Sequence, residues 1–328
     1  MTTVYFATNR MSDGTGAFGY GAKIAANDAA KMTFAVATVS NVDLSNEASG
    51  HIDGIADKTA GNFSAATAQK IVAAGKNLLV FIHGFDNSFE DAIRRAAFNR
   101  EWFAASGNAA ADTTVVAFTW PSVGQLFAPP PHLPSDGYLN DQAQAGKSGW
   151  HVAHFLEVID SLRKTFKTAH PAGRVILLAH SMGNYALQAG VQTWATSHEP
   201  NDLIFDSVIL AAADEISDSF ERRGGGRLSA LPLLSTRIST YYSRVDVAMF
   251  LSTTLNLSRR LGYDGPDDKQ NKTIYPQAKF RMIDCTRATD YPPVDPPDAT
   301  HQYYRRSKLV RADIVAAMAG TAAGDHVF

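Results

Sequence analysis

One segment has the residue types and spacing of a nucleophile held in a sharp turn. The apolar run Val175-Ile176-Leu177-Leu178-Ala179 leads into His180-Ser181-Met182-Gly183, and helical periodicity then runs from Met182 to Ala195. A serine at such a strand-to-helix junction projects its hydroxyl above the sheet, provided small residues two before and two after it make room for the strained backbone. Here those residues are Ala179 and Gly183. The commoner pattern has glycine at both places, so this sequence carries one extra methyl group. Ser181 as a mere helix cap would satisfy the helix, but it leaves the flanking pattern unexplained.

A neutral serine hydroxyl is a poor nucleophile, so the chemistry needs a base, an orienting acid and donors for a developing oxyanion. In the chain order that accompanies this kind of turn, the acid and then the histidine follow the serine. Downstream of Ser181 lie only His198, His301 and His326. His198 falls just after the elbow's own helix and His326 in the C-terminal tail, which leaves His301 as the base. It follows a stretch restricted by Pro292, Pro293, Pro296 and Pro297, which lowers the cost of ordering the loop that carries it. Two aspartates end the next two strand runs, Asp214 and Asp246. Asp246 is preferred because a helix pattern starts directly after it, and Asp214 then has a structural or tuning role. For the oxyanion, the run Leu78 to Ile82 ends in His83-Gly84-Phe85-Asp86. The amides of Phe85 and Met182 are the expected donors, the second at a helix N-terminus where the dipole favours negative charge.

Elements able to position these groups are legible as short apolar runs separated by helical patterns. The strand runs are Val4 to Ala7, Phe34 to Val39, Leu78 to Ile82, Thr114 to Phe118, Val175 to Ala179, Ser207 to Ala212, Ile238 to Tyr242 and Phe280 to Ile283. Helices are expected over Phe89 to Phe103, Ser148 to Phe166, Met182 to Ala195, Val247 to Leu255 and Ser307 to Met318. This alternation predicts an α/β fold, a doubly wound and mostly parallel eight-stranded sheet. The near-continuous apolarity of 78–82 and 175–179 puts those strands at its centre, and the mixed first two runs suit an antiparallel edge. The expected organisation is a single domain over 1–328. The irregular stretches 125–141 and 259–279 are loop insertions that could cap the site.

Composition sets limits on function. With 30 Lys+Arg against 32 Asp+Glu the net charge is −2, which argues against a nucleic-acid partner held by bulk charge. A single cysteine, Cys285, excludes an internal disulfide and a cysteine-based metal site. No window reaches the roughly 18 apolar residues of a membrane span, and the start lacks a basic-then-apolar leader. A cytoplasmic location is expected. His151, His154 and Glu157 have ligand-like helical spacing, but nothing else echoes a metal motif, so no metal is expected. Near the site, Asp86, Trp120, Phe127 and Tyr138 are possible substrate contacts, although Trp120 suits plain core packing equally well.

Five segments together carry a resemblance. They are Tyr5-Phe6-Ala7-Thr8-Asn9-Arg10, Val80 through Phe89, Phe118-Thr119-Trp120-Pro121-Ser122, Ala179 through Asn184, and Tyr242 through Ala248. With these the sequence resembles the α/β-hydrolase superfamily, and more closely an esterase/lipase-like group once catalogued as a domain of unknown function. The resemblance implies a serine hydrolase with Ser181, Asp246 and His301 as triad. Its expected substrate is a small-molecule carboxylic ester, cleaved through an acyl-enzyme without any cofactor. Acyl transfer or amide hydrolysis on the same triad is an alternative. A catalytically silent fold used as a binding module is another.

Overall fold

A computed structural model describes residues 1–16, 18–122, 134–198, 203–221, 226–291 and 298–328. Its strands are β1 (Thr2–Thr8), β2 (Arg10–Ser12), β3 (Tyr20–Ile24), β4 (Thr33–Ser40), β5 (His51–Ala60), β6 (Asn77–Ile82), β7 (Thr113–Thr119), β8 (Val175–His180), β9 (Ser207–Ala211), β10 (Ile238–Tyr242), β11 (Phe280–Asp284) and β12 (His326–Val327). The helices are α1 (Ala65–Ala73), α2 (Phe89–Ala104), α3 (Pro134–Lys147), α4 (Gly149–Ala169), α5 (Gly183–Ala195), α6 (Leu231–Leu234), α7 (Val247–Asn256), α8 (Leu261–Asp264), α9 (Asp298–His301) and α10 (Lys308–Ala319).

Among the described residues ten strands form one sheet, in the order β12-β11-β10-β9-β8-β6-β7-β1-β4-β5, while β2 and β3 form a separate hairpin. From β12 across to β1 every pairing is parallel, and the β1–β4 and β4–β5 pairings are antiparallel. All eight expected runs are strands of this sheet. The count of eight is nevertheless too low, because β5 and β12 join it at its two ends. β5 (His-Ile-Asp-Gly-Ile-Ala-Asp-Lys-Thr-Ala) is mostly polar and partly exposed, with Asp57 at φ +52°, so it lacks the apolar signal of a buried strand. β12 has only two residues. The expected antiparallel edge is real but is occupied by β5, with β4 one strand further in.

Alternation along the central strands divides the core into two layers. Leu78, Val80 and Ile82 of β6 and Leu177 of β8 face one side with Ile71 of α1, Phe155 and Leu156 of α4, and Leu187 of α5. Leu79 and Phe81 of β6 and Ile176 and Leu178 of β8 face the other side with Ile93 and Phe98 of α2 and Ile314 of α10. The chain therefore leaves β6 toward one face of the sheet and leaves the neighbouring β8 toward the opposite face. Adjacent parallel strands whose exits diverge leave a crevice at their carboxyl ends, where ligands of open α/β sheets bind.

The described parts of the two irregular stretches contain helix. The first ends in helix α3, whose Asp136 and Lys147 complement the helix dipole at its two ends; residues 125–133 lie outside the described residues. The second contains α8 and is sewn to the segment after β9. The Leu261 amide donates to the Glu215 carbonyl at 2.7 Å, the Gly262 amide to the Ala213 carbonyl at 2.8 Å, and the Ser217 amide to the Arg259 carbonyl at 3.0 Å. Gly262 is required there, since a Cβ would lie 2.3 Å from the Ala212–Ala213 backbone. No helix among the described residues is long and apolar enough to cross a membrane.

Candidate active site

The residue after β8 is forced into an uncommon conformation. Ser181 has φ +54°, a left-handed value that costs a non-glycine residue on the order of 1–3 kcal/mol and persists only where the surroundings impose it. Its amide donates to the Ala211 carbonyl at 3.0 Å, and its own carbonyl accepts from the amides of Asn184 (3.0 Å) and Asp214 (3.1 Å) and from Asn184 Nδ2 (3.1 Å). A Cβ at Gly183 would stand 2.5 Å and 2.6 Å from the carbonyl oxygens of His83 and Ile82, so this position admits only glycine. Ala179, two residues before the serine, is a buried member of the core, and the extra methyl group is accommodated there.

The same geometry aims an amide. A trans peptide is planar, with its N–H opposite its C=O. The Ser181 carbonyl is held by three donors on one side, and so the Met182 N–H points to the other, at the start of α5. The loop after β6 repeats this arrangement. Its Gly84 carbonyl accepts from His83 Nδ1 (2.9 Å) and Asn87 Nδ2 (3.0 Å), which turns the Phe85 N–H away from both. Gly84 also lies directly against the elbow, since a Cβ on it would be 2.7 Å from Ser181 Cβ.

His83 itself is fixed in one tautomer. Its Nε2 accepts from the Trp120 amide at 3.0 Å, so Nδ1 carries the proton it gives to Gly84; Trp120 Nε1 donates to the His83 carbonyl at 2.9 Å. The two rings stack at 5.2 Å. Trp120 is fully buried, so it braces the loop from behind, in keeping with the core-packing alternative.

His301 and Asp246 are brought together. His301 Nδ1 lies 2.8 Å from Asp246 Oδ2, both groups being buried. The other carboxylate oxygen, Oδ1, caps α7 by accepting from the Met249 amide at 3.0 Å. The Thr300 hydroxyl, which accepts from the Val247 amide at 3.1 Å, ties the start of α7 to α9. On its other side the His301 ring packs 4.7 Å from the ring of His180, the residue before Ser181. Asp214, in contrast, is engaged elsewhere: its carboxylate accepts from Tyr138 Oη (2.8 Å) and from Ser252 Oγ, with Arg260 Nε at 3.4 Å. Tyr138 thereby links α3 to α7, and its hydroxyl is pushed well above its usual range by burial and then by Asp214. Its ring also lies 5.9 Å from that of Phe85. Asp86 is exposed, with φ +53°. Phe127 and the prolines at 292, 293, 296 and 297 lie outside the described residues. His151 and His154 face backbone carbonyls, of Ala26 (3.0 Å) and Gly61 (2.6 Å); no metal-holding group of His, Cys, Asp and Glu occurs among the described residues.

Two buried histidines link this region to pH. Burial above all holds His83 and His180 well below the usual imidazole range, helped by Arg10 for the first and by His301 for the second. A depressed folded value means the folded chain refuses a proton that the unfolded chain accepts below pH ~6.5. The stability these groups contribute is therefore complete above that pH and is lost as pH falls toward their folded values, by about 1.4 kcal/mol per pH unit for each histidine. Urea unfolding between pH 7 and pH 5 should show a steeper decline in wild type than in His83→Asn, by close to one proton; equal slopes would contradict the assignment.

Residues to which the reading from sequence gave no role of their own complete the loop. Asn87 Nδ2 also donates to the Phe85 carbonyl at 2.7 Å, and the Asn87 amide donates to Ser122 Oγ at 3.3 Å. Arg10 is 1% exposed and reaches Asn87 from below. Burial lowers its guanidinium to about 10, against the upward pull of Asp141, Glu90 and Asp91, so it stays charged at neutral pH. The sequence cue available was a charged residue shortly after the apolar run of β1.

The mostly parallel sheet, the strained serine between β8 and α5 and the crevice at the strand ends define an α/β-hydrolase fold. The chain belongs to the family described as "Alpha/beta hydrolase of unknown function (DUF900)", whose model matches residues 60–317. No curated protein matches the sequence significantly. Among solved structures it is similar to the phospholipase PlaB of Legionella pneumophila in complex with thio-NAD, at 12% identity and a TM-score of 0.26 over 64% of this chain; it spans only 38% of that protein's length. A lipase-esterase related protein of Clostridium acetobutylicum is 11% identical, with a TM-score of 0.23 over 76% of this chain and 84% of the other.

Proposed function

We propose that the protein is a serine hydrolase of carboxylic esters, acting as a single α/β-hydrolase domain through Ser181, His301 and Asp246. The observation that carries this reading is the 2.8 Å contact of His301 Nδ1 with Asp246, on a ring that also touches the residue before Ser181. With Nδ1–H given to the carboxylate, the neutral ring keeps its lone pair on Nε2 and takes the Ser181 proton as the oxygen attacks the acyl carbon. The amides of Phe85 and Met182 hold the resulting oxyanion. His301 returns the proton to the leaving alcohol, and water then releases the acid by the same steps in reverse, so that no cofactor is consumed. The rings of Phe85 and Tyr138, 5.9 Å apart beside the loop, favour a neutral or apolar acyl group.

A panel of p-nitrophenyl esters of graded acyl length tests the reading. Release of p-nitrophenol should peak at one range of chain lengths and vanish in Ser181→Ala. Absence of Ser181-dependent release across the panel would overturn it.

A further inference from the structure

The segment Thr8-Asn9-Arg10 carries a buried cation beside the loop that follows β6, and its chemistry is unused by the triad. Arg10 sits at the start of the β2–β3 hairpin, immediately beyond β1. Its guanidinium donates from Nη2 to the carbonyls of Asn87 (2.7 Å) and Ser122 (3.3 Å), from Nη1 to the carbonyl of Gly21 (3.0 Å) and from Nε to Thr119 Oγ1 (3.3 Å). One planar fork thus joins the hairpin, the end of β7 and the far end of the 83–87 loop. Burying such a cation is costly unless its donors are satisfied, and here three main-chain carbonyls and one hydroxyl satisfy them.

The consequence follows from peptide geometry. Asn87, held through its carbonyl by Arg10, uses its side-chain amide to grip the carbonyls of Gly84 and Phe85. The Gly84 carbonyl is the opposite end of the peptide whose N–H belongs to Phe85, so whatever fixes the first aims the second. We infer that Arg10 is a positioning residue for oxyanion stabilisation, acting through Asn87 to hold the Phe85 amide toward the carbonyl that Ser181 attacks. This rests on the ester-hydrolase reading above. Arg10 does not touch the reacting atoms; its removal frees the loop to rotate one donor away while the substrate pocket stays as it was.

A merely structural arginine and a positioning one differ in what they change. In Arg10→Ala, kcat on the best p-nitrophenyl ester should fall on the order of 10- to 100-fold, somewhat less than the 10²- to 10³-fold of a wholly absent donor, with KM within about twofold. An alkyl trifluoromethyl ketone provides the second readout. Ser181 Oγ adds to its carbonyl carbon, the hydroxyl proton passes to His301, and the new oxyanion occupies the donor site. Its inhibition constant should rise by the same factor as kcat falls. Guanidinium ion at tens of millimolar, far below its denaturing range, should restore part of kcat in a saturable way.

If Arg10→Ala does not fold, Arg10→Lys is read by the same constants: its point charge cannot span four acceptors, so kcat and the ketone constant should shift together. Unchanged kcat and unchanged ketone binding in the folded variant would overturn the inference, as would a rise in KM alone. The underlying reading fails separately, when wild type itself shows no Ser181-dependent turnover.

Discussion

Ser181→Ala should lose at least about 10⁴-fold in kcat while keeping the wild-type melting temperature. The size of the effect reflects how a triad works: nucleophile, base and acid act as a unit, so removing one member forfeits nearly the whole of their joint contribution, and what survives is binding and oxyanion stabilisation. Stability should be retained, because the contacts that impose φ +54° come from the Ser181 backbone and from Gly183, Asn184 and Asp214, and none of them uses the hydroxyl. Alanine at a left-handed position is strained like serine, so the exchange is close to neutral there. Steady-state ester hydrolysis beside a thermal melt decides the matter. A folded variant with more than about a tenth of the wild-type rate would remove Ser181 from the chemistry.

A second large effect separates the two aspartates. Asp246→Asn should lower kcat on the order of 10⁴-fold, because an amide nitrogen facing His301 Nδ1 drives the ring proton to Nε2, the atom that must accept from serine. Asparagine is as good a helix cap as aspartate, so α7 keeps its Met249 contact and the melting temperature changes little. Asp214→Asn should do the reverse. It removes a carboxylate beside buried Arg260 and presents an amide to two hydroxyls that now donate, Tyr138 and Ser252. Breaking such a buried arrangement costs about 3–5 kcal/mol, while kcat should stay within roughly tenfold of wild type. Paired kcat and melting measurements on both variants give the answer, and the opposite pattern would transfer the acid's role to Asp214.

The central sheet was legible because parallel strands covered on both faces are written as unbroken apolar runs, as in 78–82 and 175–179, and the elbow because its strand, serine, glycine and helix are contiguous. Contacts between distant segments leave no such trace. Arg10 meets Asn87 and Ser122 across 77 and 112 residues, and the lock on the His83 tautomer depends on Trp120, 37 residues away. Helix α3 was hidden by the prolines before it and by Gly137 and Asn140 within it, residues of weak helix propensity. Its place in the structure comes instead from packing on α5 and from Tyr138 reaching Asp214. The choice between Asp214 and Asp246 rested on position alone, since each lies a few residues beyond a strand, β9 or β10; the structure distinguishes them by their partners, a hydroxyl-and-arginine network for one and a histidine for the other.

A crystal structure of the protein inactivated with a fluorophosphonate examines the convergence of these groups in a single experiment. Phosphorus should be bonded to Ser181 Oγ, its non-ester oxygen about 2.7–3.1 Å from the amide nitrogens of Phe85 and Met182, with His301 Nε2 within hydrogen-bonding reach of an adduct oxygen and Nδ1 still on Asp246. Phosphorus on another residue, or an adduct oxygen turned from both amides with His301 out of reach, would contradict the mechanism.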